Sequence, residues 1–308
     1  MDRGQATNRA ERGQALALFT LVLVAVIAMT GLVLDGGSTF AQRRDMQNVA
    51  DQAALAGAYA YLNGASAATV ARQTAGANGY VDGTDDTNVA VSLGQDASGA
   101  TVVTVDVARP HRNFFSGVVG MPSWGVSTTA TAQAGPPNGA MGAMPIIFNQ
   151  DAFTGDPYAD QTYDEPGTGT EDVPQGQLQF NWTVFCTANG NPCNANTSDV
   201  DDLIKGQGQS TIVVTLSMAI GPLNAGSHTA LFSDLAEYVD KAFPVAIVDD
   251  DGRMVGWAYF HLTGSAGGSS KKIRGRFVSP VSPEELRIVP NGGAGNSEFG
   301  TYSVRLVN

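Results

Sequence analysis

The sequence predicts an α+β protein with a single N-terminal transmembrane helix, a small helix-plus-sheet unit and a mainly-β, sandwich-like extracytoplasmic domain. Three observations predict this class: an uncharged apolar block, a following stretch with helical spacing of small apolar residues, and strand-like runs separated by turns toward the C-terminus. We therefore divide the chain into a cytoplasmic N-terminus, a transmembrane helix, a helix-plus-sheet region, an acidic Pro/Gly-rich linker and a β-rich extracytoplasmic domain, over residues 1–14, 15–34, 35–135, 136–175 and 176–308.

Length and charge limit the function before any motif is considered. The chain has 308 residues, enough for one large domain or two modest ones. Its 17 Lys and Arg residues against 29 Asp and Glu residues give a net charge of −12. Because attraction to phosphates dominates affinity for nucleic acids, binding to DNA or RNA is not expected.

The apolar block over residues 15–34 predicts a membrane span. As a helix rising 1.5 Å per residue it covers about 30 Å, the thickness of a bilayer's hydrocarbon core. A buried core helix is one alternative, but no polar stripe recurs through the block, and a helix that is apolar all round is seldom a core element so near a terminus. A cleaved signal peptide is the other alternative, since Thr39 and Ala41 form a small-residue cleavage pattern. We favour a retained anchor, because the block exceeds the roughly 7 to 15 apolar residues of a signal peptide and a helical pattern resumes directly after Asp35.

Flanking charges and cysteines indicate the orientation. Three arginines at positions 3, 9 and 12 precede the span and two at positions 43 and 44 follow it, which places the N-terminus in the cytoplasm by a small margin. The long remainder would then be exported to an oxidising compartment. Cys186 and Cys193 enclose a short loop and predict a disulfide, with two unpaired thiols as the alternative. Structural zinc fits less well, because it needs four ligands.

Residues 35–135 carry helical patterns first and strand patterns afterwards. We expect a helix whose small-residue face packs either on another subunit or on its own domain, then a second helix, a hairpin, a short helical turn and a further strand. In that order, these elements are expected at residues 38–62, 66–78, 89–93 with 103–107 for the hairpin, 114–119 and 126–134.

Residues 151–172 hold seven acidic residues and no basic one, interleaved with Pro and Gly, and so predict a linker. Oxygen ligands for calcium are abundant there, but the Asp-x-Asp-x-Asp-Gly pattern of a calcium loop is absent from the sequence.

The β-rich region contains six strand-like runs, at residues 177–185, 211–220, 245–248, 254–262, 272–281 and 301–307, and one amphipathic helix at 229–242. The run Asp249-Asp250-Asp251-Gly252 predicts a hairpin turn, with metal binding as a weaker alternative. Lys272, Arg274 and Arg276 share one face of a strand. We interpret that face as solvated; the acidic linker or a neighbouring subunit are the other surfaces that it could meet.

A search for catalytic chemistry finds no constellation. His111, His228 and His261 are far apart in sequence and stand outside any metal-binding or nucleophile motif. The Gly-x-Ser-x-Gly and phosphate-binding-loop patterns are also absent from the sequence. We therefore predict that the protein is not an enzyme and has no catalytic, cofactor-binding or metal-binding residues.

Three stretches carry a family resemblance. Residues 12–19 (RGQALALF), 31–37 (GLVLDGG) and 42–58 (QRRDMQNVADQAALAGA) resemble the N-terminal region of the TadE/TadG-like proteins of the Flp (tight-adherence) pilus machinery. The run FFSGVVG over residues 114–120 looks like the continuation found in TadG-type members. The resemblance covers residues 11–60 strongly.

The resemblance implies a single-pass protein of the bacterial inner or plasma membrane that acts as a pilin-like or accessory component of Flp pilus assembly or secretion. Its expected partners are the lipid bilayer and other pilus-assembly subunits, as a homo- or hetero-oligomer. Two family features do not match. Five residues after Gly13 stands Leu18 where processed members carry glutamate, and the Asp-x-Ser-x-Ser metal motif of von Willebrand A domains is absent from the sequence.

Two other functions stay open at this stage. Trp182, Trp257 and Tyr259 would suit a membrane-tethered module that binds a cell-surface carbohydrate or another ligand, provided that they cluster on one exposed face. Burial of these aromatic residues in a sheet core would count against that function. An exported hydrolase with dispersed carboxylates is the third alternative and would require a pocket that joins two of them.

Overall fold

One very long helix, α1 (Gly4–Leu62), begins the fold in the computed structural model and extends into the helix-plus-sheet region. The span and the helix expected over residues 38–62 are a single element that passes through Asp35, Gly36 and Gly37 without a break. The structure describes residues 4–96, 100–166, 173–186, 196–206, 212–222, 228–278, 285–289, 292–293 and 299–307.

A second helix and a four-stranded antiparallel sheet complete this unit. Helix α2 (Ala67–Ala77) is capped by Ser66, whose hydroxyl oxygen accepts the backbone N–H of Thr69 at 3.3 Å. The sheet has the order β1-β2-β5-β16, formed by β1 (Asn88–Gln95), β2 (Thr101–Ala108), β5 (Ser127–Gly135) and β16 (Ser303–Val307). Between β2 and β5 lie β3 (His111–Arg112), a 3₁₀ turn (Ser116–Val119) and β4 (Ser123–Trp124). The predicted second helix, hairpin, helical turn and strand of this region are confirmed.

The small-residue face of α1 packs on this sheet. Its residues Met46, Ala50, Ala53 and Ala58 are fully buried, and they share one core with the β2 residues Val103, Val105 and Val107 and with Ala132 and Ala134 of β5. Small side chains let the helix lie close to the strands: a Cβ added to Gly57 would lie 3.1 Å from Cγ1 of Val103. This face was expected to pack either on another subunit or on its own domain, and the structure shows packing within the chain.

The last strand differs from the expected domain division. β16 pairs antiparallel with β5, with Val304 opposite Ala134, and so extends the sheet of the first unit rather than the β-rich region that precedes it. Alternating apolar residues identify a strand, but they do not specify the sheet edge that it joins, which is why the sequence did not predict this return.

The β-rich region centres on a seven-stranded mixed sheet of order β11-β9-β7-β12-β13-β14-β8. Its strands are β7 (Ile146–Asn149), β8 (Gln161–Asp164), β9 (Phe180–Phe185), β11 (Ile220–Pro222), β12 (Ala242–Val248), β13 (Met254–Ala266) and β14 (Lys272–Phe277). β7 and β12 run parallel, and the other neighbours run antiparallel. A smaller sheet has the order β10-β6-β15, from β10 (Val213–Thr215), β6 (Gly139–Met141) and β15 (Leu286–Arg287).

The two faces of the large sheet carry separate cores. One face packs against α3 (Thr197–Ile204) and α4 (Thr229–Leu235) through large side chains that include Phe148, Phe180, Trp182, Phe232, Phe243 and Phe260. The other face packs against the small sheet through Ile147, Ala246, Val248 and Trp257, which meet Ala140, Val214 and Leu286. The predicted α+β class is confirmed, with a sheet-on-sheet layer on one side and helices on the other.

The expected linker over residues 136–175 is replaced, in its described part, by the strands β6, β7 and β8. Ile146, Ile147, Phe148 and Tyr163 from this segment are fully buried. The acidic residues misled the prediction because a folded segment also carries them at exposed positions. Asp151, Asp156 and Asp160 are exposed outside β8, and Asp164, within β8, lies 3.2 Å from Nζ of Lys272.

Other elements differ in length. The helix expected over residues 229–242 ends at Leu235 and continues as a 3₁₀ turn (Ala236–Tyr238) before the chain enters β12. The run at 211–220 is divided between β10 and β11. Helix α3 was not predicted, although Asn196 and Asp199 form a capping box at its start. The hairpin turn at Asp249-Asp250-Asp251-Gly252 is confirmed, and Gly252 has a φ of +78°.

Candidate functional site at the junction of helix and sheet

The first half of α1 exposes a continuous apolar surface. Within residues 15–34, all of which the structure describes, Gly31 alone is buried. Leu16 is 68% exposed and Val33 is 73% exposed. A soluble surface rarely carries an apolar patch of this size, and the helix is long and apolar enough to cross a membrane.

Asp35, one residue after this apolar surface, holds the loop between β3 and β4. One carboxylate oxygen, Oδ1, accepts the backbone N–H of Phe114 at 2.9 Å. The other, Oδ2, accepts those of Phe115 at 3.0 Å and Ser116 at 2.6 Å. The side chain thus caps the 3₁₀ turn, where unpaired N–H groups favour an anion, and it does so while only 1% exposed.

These hydrogen bonds determine the charge of Asp35. Burial raises the pKa of the carboxyl group, but the N–H groups of Ser116, Phe114 and Phe115 outweigh this and lower the pKa to about 2. The carboxylate is therefore ionised at neutral pH and acts only as an acceptor.

Gly31 makes room for the same loop. A Cβ added at this position would lie 2.6 Å from Cβ of Phe115, closer than Cβ atoms come to non-bonded neighbours in real proteins. The absence of a side chain on α1 therefore allows Phe115 to pack directly on the helix, one turn before Asp35.

A second set of contacts fixes His111 against α1. Nδ1 of His111 lies 2.7 Å from Oε1 of Gln42 and donates to it, because an amide oxygen only accepts. Nε2 lies 3.0 Å from Oγ of Ser38, and Nε2 of Gln42 donates to the carbonyl of Arg109 at 3.0 Å. His111 stands in β3 and is a buried contact that positions the loop on the helix.

A polar cleft of about 800 Å³ opens beside these contacts, between α1 and the loop. In it the hydroxyl of Tyr80 donates to Oδ2 of Asp45 at 2.8 Å, and the guanidinium of Arg109 lies 3.0 Å from Oδ2 of Asp85. Burial and the contact with Asp45 raise the pKa of Tyr80 to about 12, so the phenol stays protonated. Within the described residues, no group of three or more potential metal-ligating side chains comes together, in this cleft or elsewhere.

Apart from His111, the residues selected from the sequence lie away from this junction. Cys186 is buried just after β9, and Cys193 lies outside the described residues, so the disulfide stays a prediction. His228 contacts Glu165, and His261 stands in β13. Trp182 and Trp257 are only 2% and 1% exposed in the two cores of the large sheet, and Tyr259 is half-buried.

The basic face of β14 meets the acidic segment. Nε of Arg274 lies 2.7 Å from Asp160, next to the contact between Lys272 and Asp164, and the basic side chains are 62% and 50% exposed. The face is therefore solvated, as expected, and it also pairs with the segment expected to be a linker. Exposed pairs of this kind contribute about 0–1 kcal/mol.

Comparison with known families bears on the junction itself. Residues 13–60 match the family model for Flp pilus-assembly TadE/G-like proteins. The N-terminal region is therefore similar to TadE/G-like proteins. The matched range contains the exposed apolar surface, Gly31 and Asp35, and the part of α1 that packs on the sheet. Neither the curated proteins nor the solved structures give a match to the chain.

The TadE/G-like match supports involvement of the protein in Flp/Tad pilus assembly. Sequence reasoning missed the functions of Gly31 and Asp35. An acidic residue just after an apolar block is a visible signal, but its partners lie about 80 positions later and only the fold brings them together.

The charge of Asp35 leads to a pH prediction. Its pKa in the folded protein is below the ordinary value of 3.8, so its contribution to stability is complete above pH 3.8 and is lost as the pH falls through about 2. Asp35→Asn places an amide N–H among donors, and we expect it to lower the midpoint of thermal unfolding by several degrees at pH 7. The difference in unfolding midpoint between the wild type and the variant should become smaller as the pH falls from 4 to 2. Thermal unfolding in detergent micelles measures this difference.

Asp86→Asn is the matched control, because Asp86 is exposed and has a φ of 57°, which asparagine tolerates. Its midpoint should follow that of the wild type at every pH. An equal, pH-independent loss in both variants would contradict the role assigned to Asp35.

Proposed function

We propose that the protein is a single-pass, non-enzymatic component of Flp/Tad-type pilus assembly or an allied secretion apparatus, anchored in the bacterial inner or plasma membrane. Residues 15–34 span the bilayer, the N-terminus stays in the cytoplasm, and the folded part lies outside. The observation that carries the proposal is that the TadE/G-like match falls on one helix whose first half is exposed and apolar and whose second half is core.

The continuity of α1 supports a structural role. A hinge after the span would let the folded part move freely, whereas a helix that runs unbroken from the span into the core transmits its orientation. The contacts of Asp35 and Gly31 with the loop between β3 and β4, and that of His111 with Gln42, brace the helix where it leaves the apolar surface. A subunit built in this way presents its outer surface to other pilus-assembly subunits at a fixed distance from the membrane.

Continuity also bears on processing. Cleavage after Ala41 would cut α1 within its described helical range and would separate Asp35 and Ser38 from the loop that they hold. A signal peptide normally leaves the mature fold intact, so this arrangement favours a retained anchor.

The three aromatic residues on which the ligand-binding alternative rests do not form an exposed face. Both Trp182 and Trp257 are buried, and Tyr259 is only half-buried. No observation on the described residues favours this function over assembly.

The pilus role is tested in the bacterium that makes the protein. A strain without residues 15–34 should lose Flp pili and surface attachment, as counted by electron microscopy and an adherence assay. A matched strain in which residues 16–30 are replaced by an unrelated apolar sequence of equal length should keep the anchor and restore the pili. Normal pili in a strain that lacks the whole protein would contradict the proposal.

A further inference from the structure

The loop between β3 and β4 exposes large apolar side chains at its tip. Phe114 is 80% exposed, Val118 is 87% exposed, and Phe115 and Met121 are 46% and 48% exposed. A single exposed apolar residue is ordinary, but a group this dense marks a contact surface. Residues 113–122, here called the apolar loop, also contain no charged residue.

The position of the apolar loop along α1 is fixed by its contacts with the helix. Phe115 packs on Gly31, which lies within the apolar surface of α1. Gly31 precedes Asp35 by four residues, about 6 Å along the axis at 1.5 Å per residue. The apolar loop therefore lies beside the last turn of the span, at the level where the hydrocarbon core of a bilayer ends.

The backbone of the apolar loop suits an apolar environment, because most of its N–H groups are already paired. Asp35 accepts those of Phe114, Phe115 and Ser116. Within the loop, four further N–H groups donate to backbone carbonyls at 2.9–3.2 Å. The pairs are Asn113 to Pro122, Val118 to Phe115, Gly120 to Gly117 and Met121 to Ser116. An irregular segment can enter a lipid environment only when its polar groups are satisfied in this way.

We propose that the apolar loop inserts into the outer interfacial layer of the same bilayer that α1 spans, as a second membrane contact. Arg112 and Trp124 flank the loop and are residue types that commonly lie at headgroup level. The neighbouring span selects lipid as the occupant, since the same membrane surrounds both. Two points of attachment, unlike one, fix the tilt and rotation of α1.

This inference rests on the proposed membrane anchor, and the experiment separates the two. The full chain is placed in phosphatidylethanolamine and phosphatidylglycerol nanodiscs with the photoreactive residue p-benzoylphenylalanine at one of three positions. Position 118 tests the apolar loop. Leu23, 47% exposed in the span, is the membrane control, and Tyr61, 43% exposed near the far end of α1, is the aqueous control. All three side chains are exposed, so the substitutions should not disturb folding.

Lipid adducts, identified by mass spectrometry after illumination, are expected at positions 23 and 118 and not at position 61. An adduct at 23 without one at 118 would overturn the inference and leave the anchor intact. Crosslinks from position 118 to a second protein chain instead of lipid would also overturn it. Absence of lipid adducts at both 23 and 118 would overturn the anchor and the inference together.

Discussion

Replacing Val24 and Ile27 together with arginine is expected to prevent stable insertion of the protein into a membrane. Both residues are exposed on the apolar half of α1, at 60% and 55%. Each arginine near the centre of a span costs about 2.5–3.5 kcal/mol for insertion, so the pair shifts the equilibrium by about four orders of magnitude. Arginine is also a good helix former, and these side chains contact no core, so the folded part should be unaffected.

The measurement is extraction of isolated membranes with alkaline carbonate, which removes peripheral proteins and leaves spanning ones. We expect the wild type and the control Val24→Leu with Ile27→Leu in the pellet and the arginine pair in the supernatant or degraded. Retention of the arginine pair in the pellet would show that another part of the chain holds the protein in the membrane.

Phe148→Ala is expected to produce the largest loss of stability by a single substitution. Phe148 is fully buried on β7, and its ring centroid lies 4.9 Å from that of Phe260, 5.0 Å from Tyr163 and 5.2 Å from Phe277. Truncation of a buried phenylalanine costs about 3–5 kcal/mol, because apolar contacts are lost and a cavity remains.

Denaturant unfolding in detergent micelles measures this loss, with Tyr158→Ala as the matched control. Tyr158 is 43% exposed and belongs to the same segment, so its truncation should change the free energy of unfolding by much less than that of Phe148. The pair also tests the structural correction at residues 136–175. A linker residue at position 148 would make the two substitutions equivalent, which would contradict the placement of β7 in the core.

Local patterns in the sequence were sufficient for the elements whose partners are close along the chain. The helical spacing of Met46, Ala50 and Ala53, the hairpin of β1 and β2, and the Asp-Gly turn before β13 are all local signals, and the structure contains each of them. Element existence follows from periodicity and turn chemistry, because these depend on neighbouring residues.

Long-range pairing was not accessible in the same way. β16 joins β5 across more than 160 residues, and β8 lies at the far edge of the large sheet although the segment that contains it, residues 151–172, is acidic. In both cases the tertiary partner decides the outcome: Ala134 lies opposite Val304 in one, and Lys272 pairs with Asp164 in the other. The linker prediction for the second segment rested on composition alone. Acidic residues at exposed positions of a folded segment and acidic residues in a linker give the same composition.

The junction shows the same limit. In the sequence, Gly31 is an ordinary small residue of the predicted span, and Asp35 marks the polar boundary of that span. Their functions become visible only when Phe115 packs on the glycine and three N–H groups of the apolar loop converge on the carboxylate. A span of the same hydropathy without Gly31 and Asp35 would still enter a membrane, but it would not hold this loop.

In the proposed role, α1 stays intact and joins a membrane span to the folded part. Intact-mass measurement and N-terminal sequencing of the mature protein, recovered separately from the membranes and the medium, determine whether it does. We expect a chain in the membrane fraction that still contains residues 15–34. Recovery from the medium of a mature chain that begins after Ala41 would show that α1 is cleaved and that the protein is not anchored.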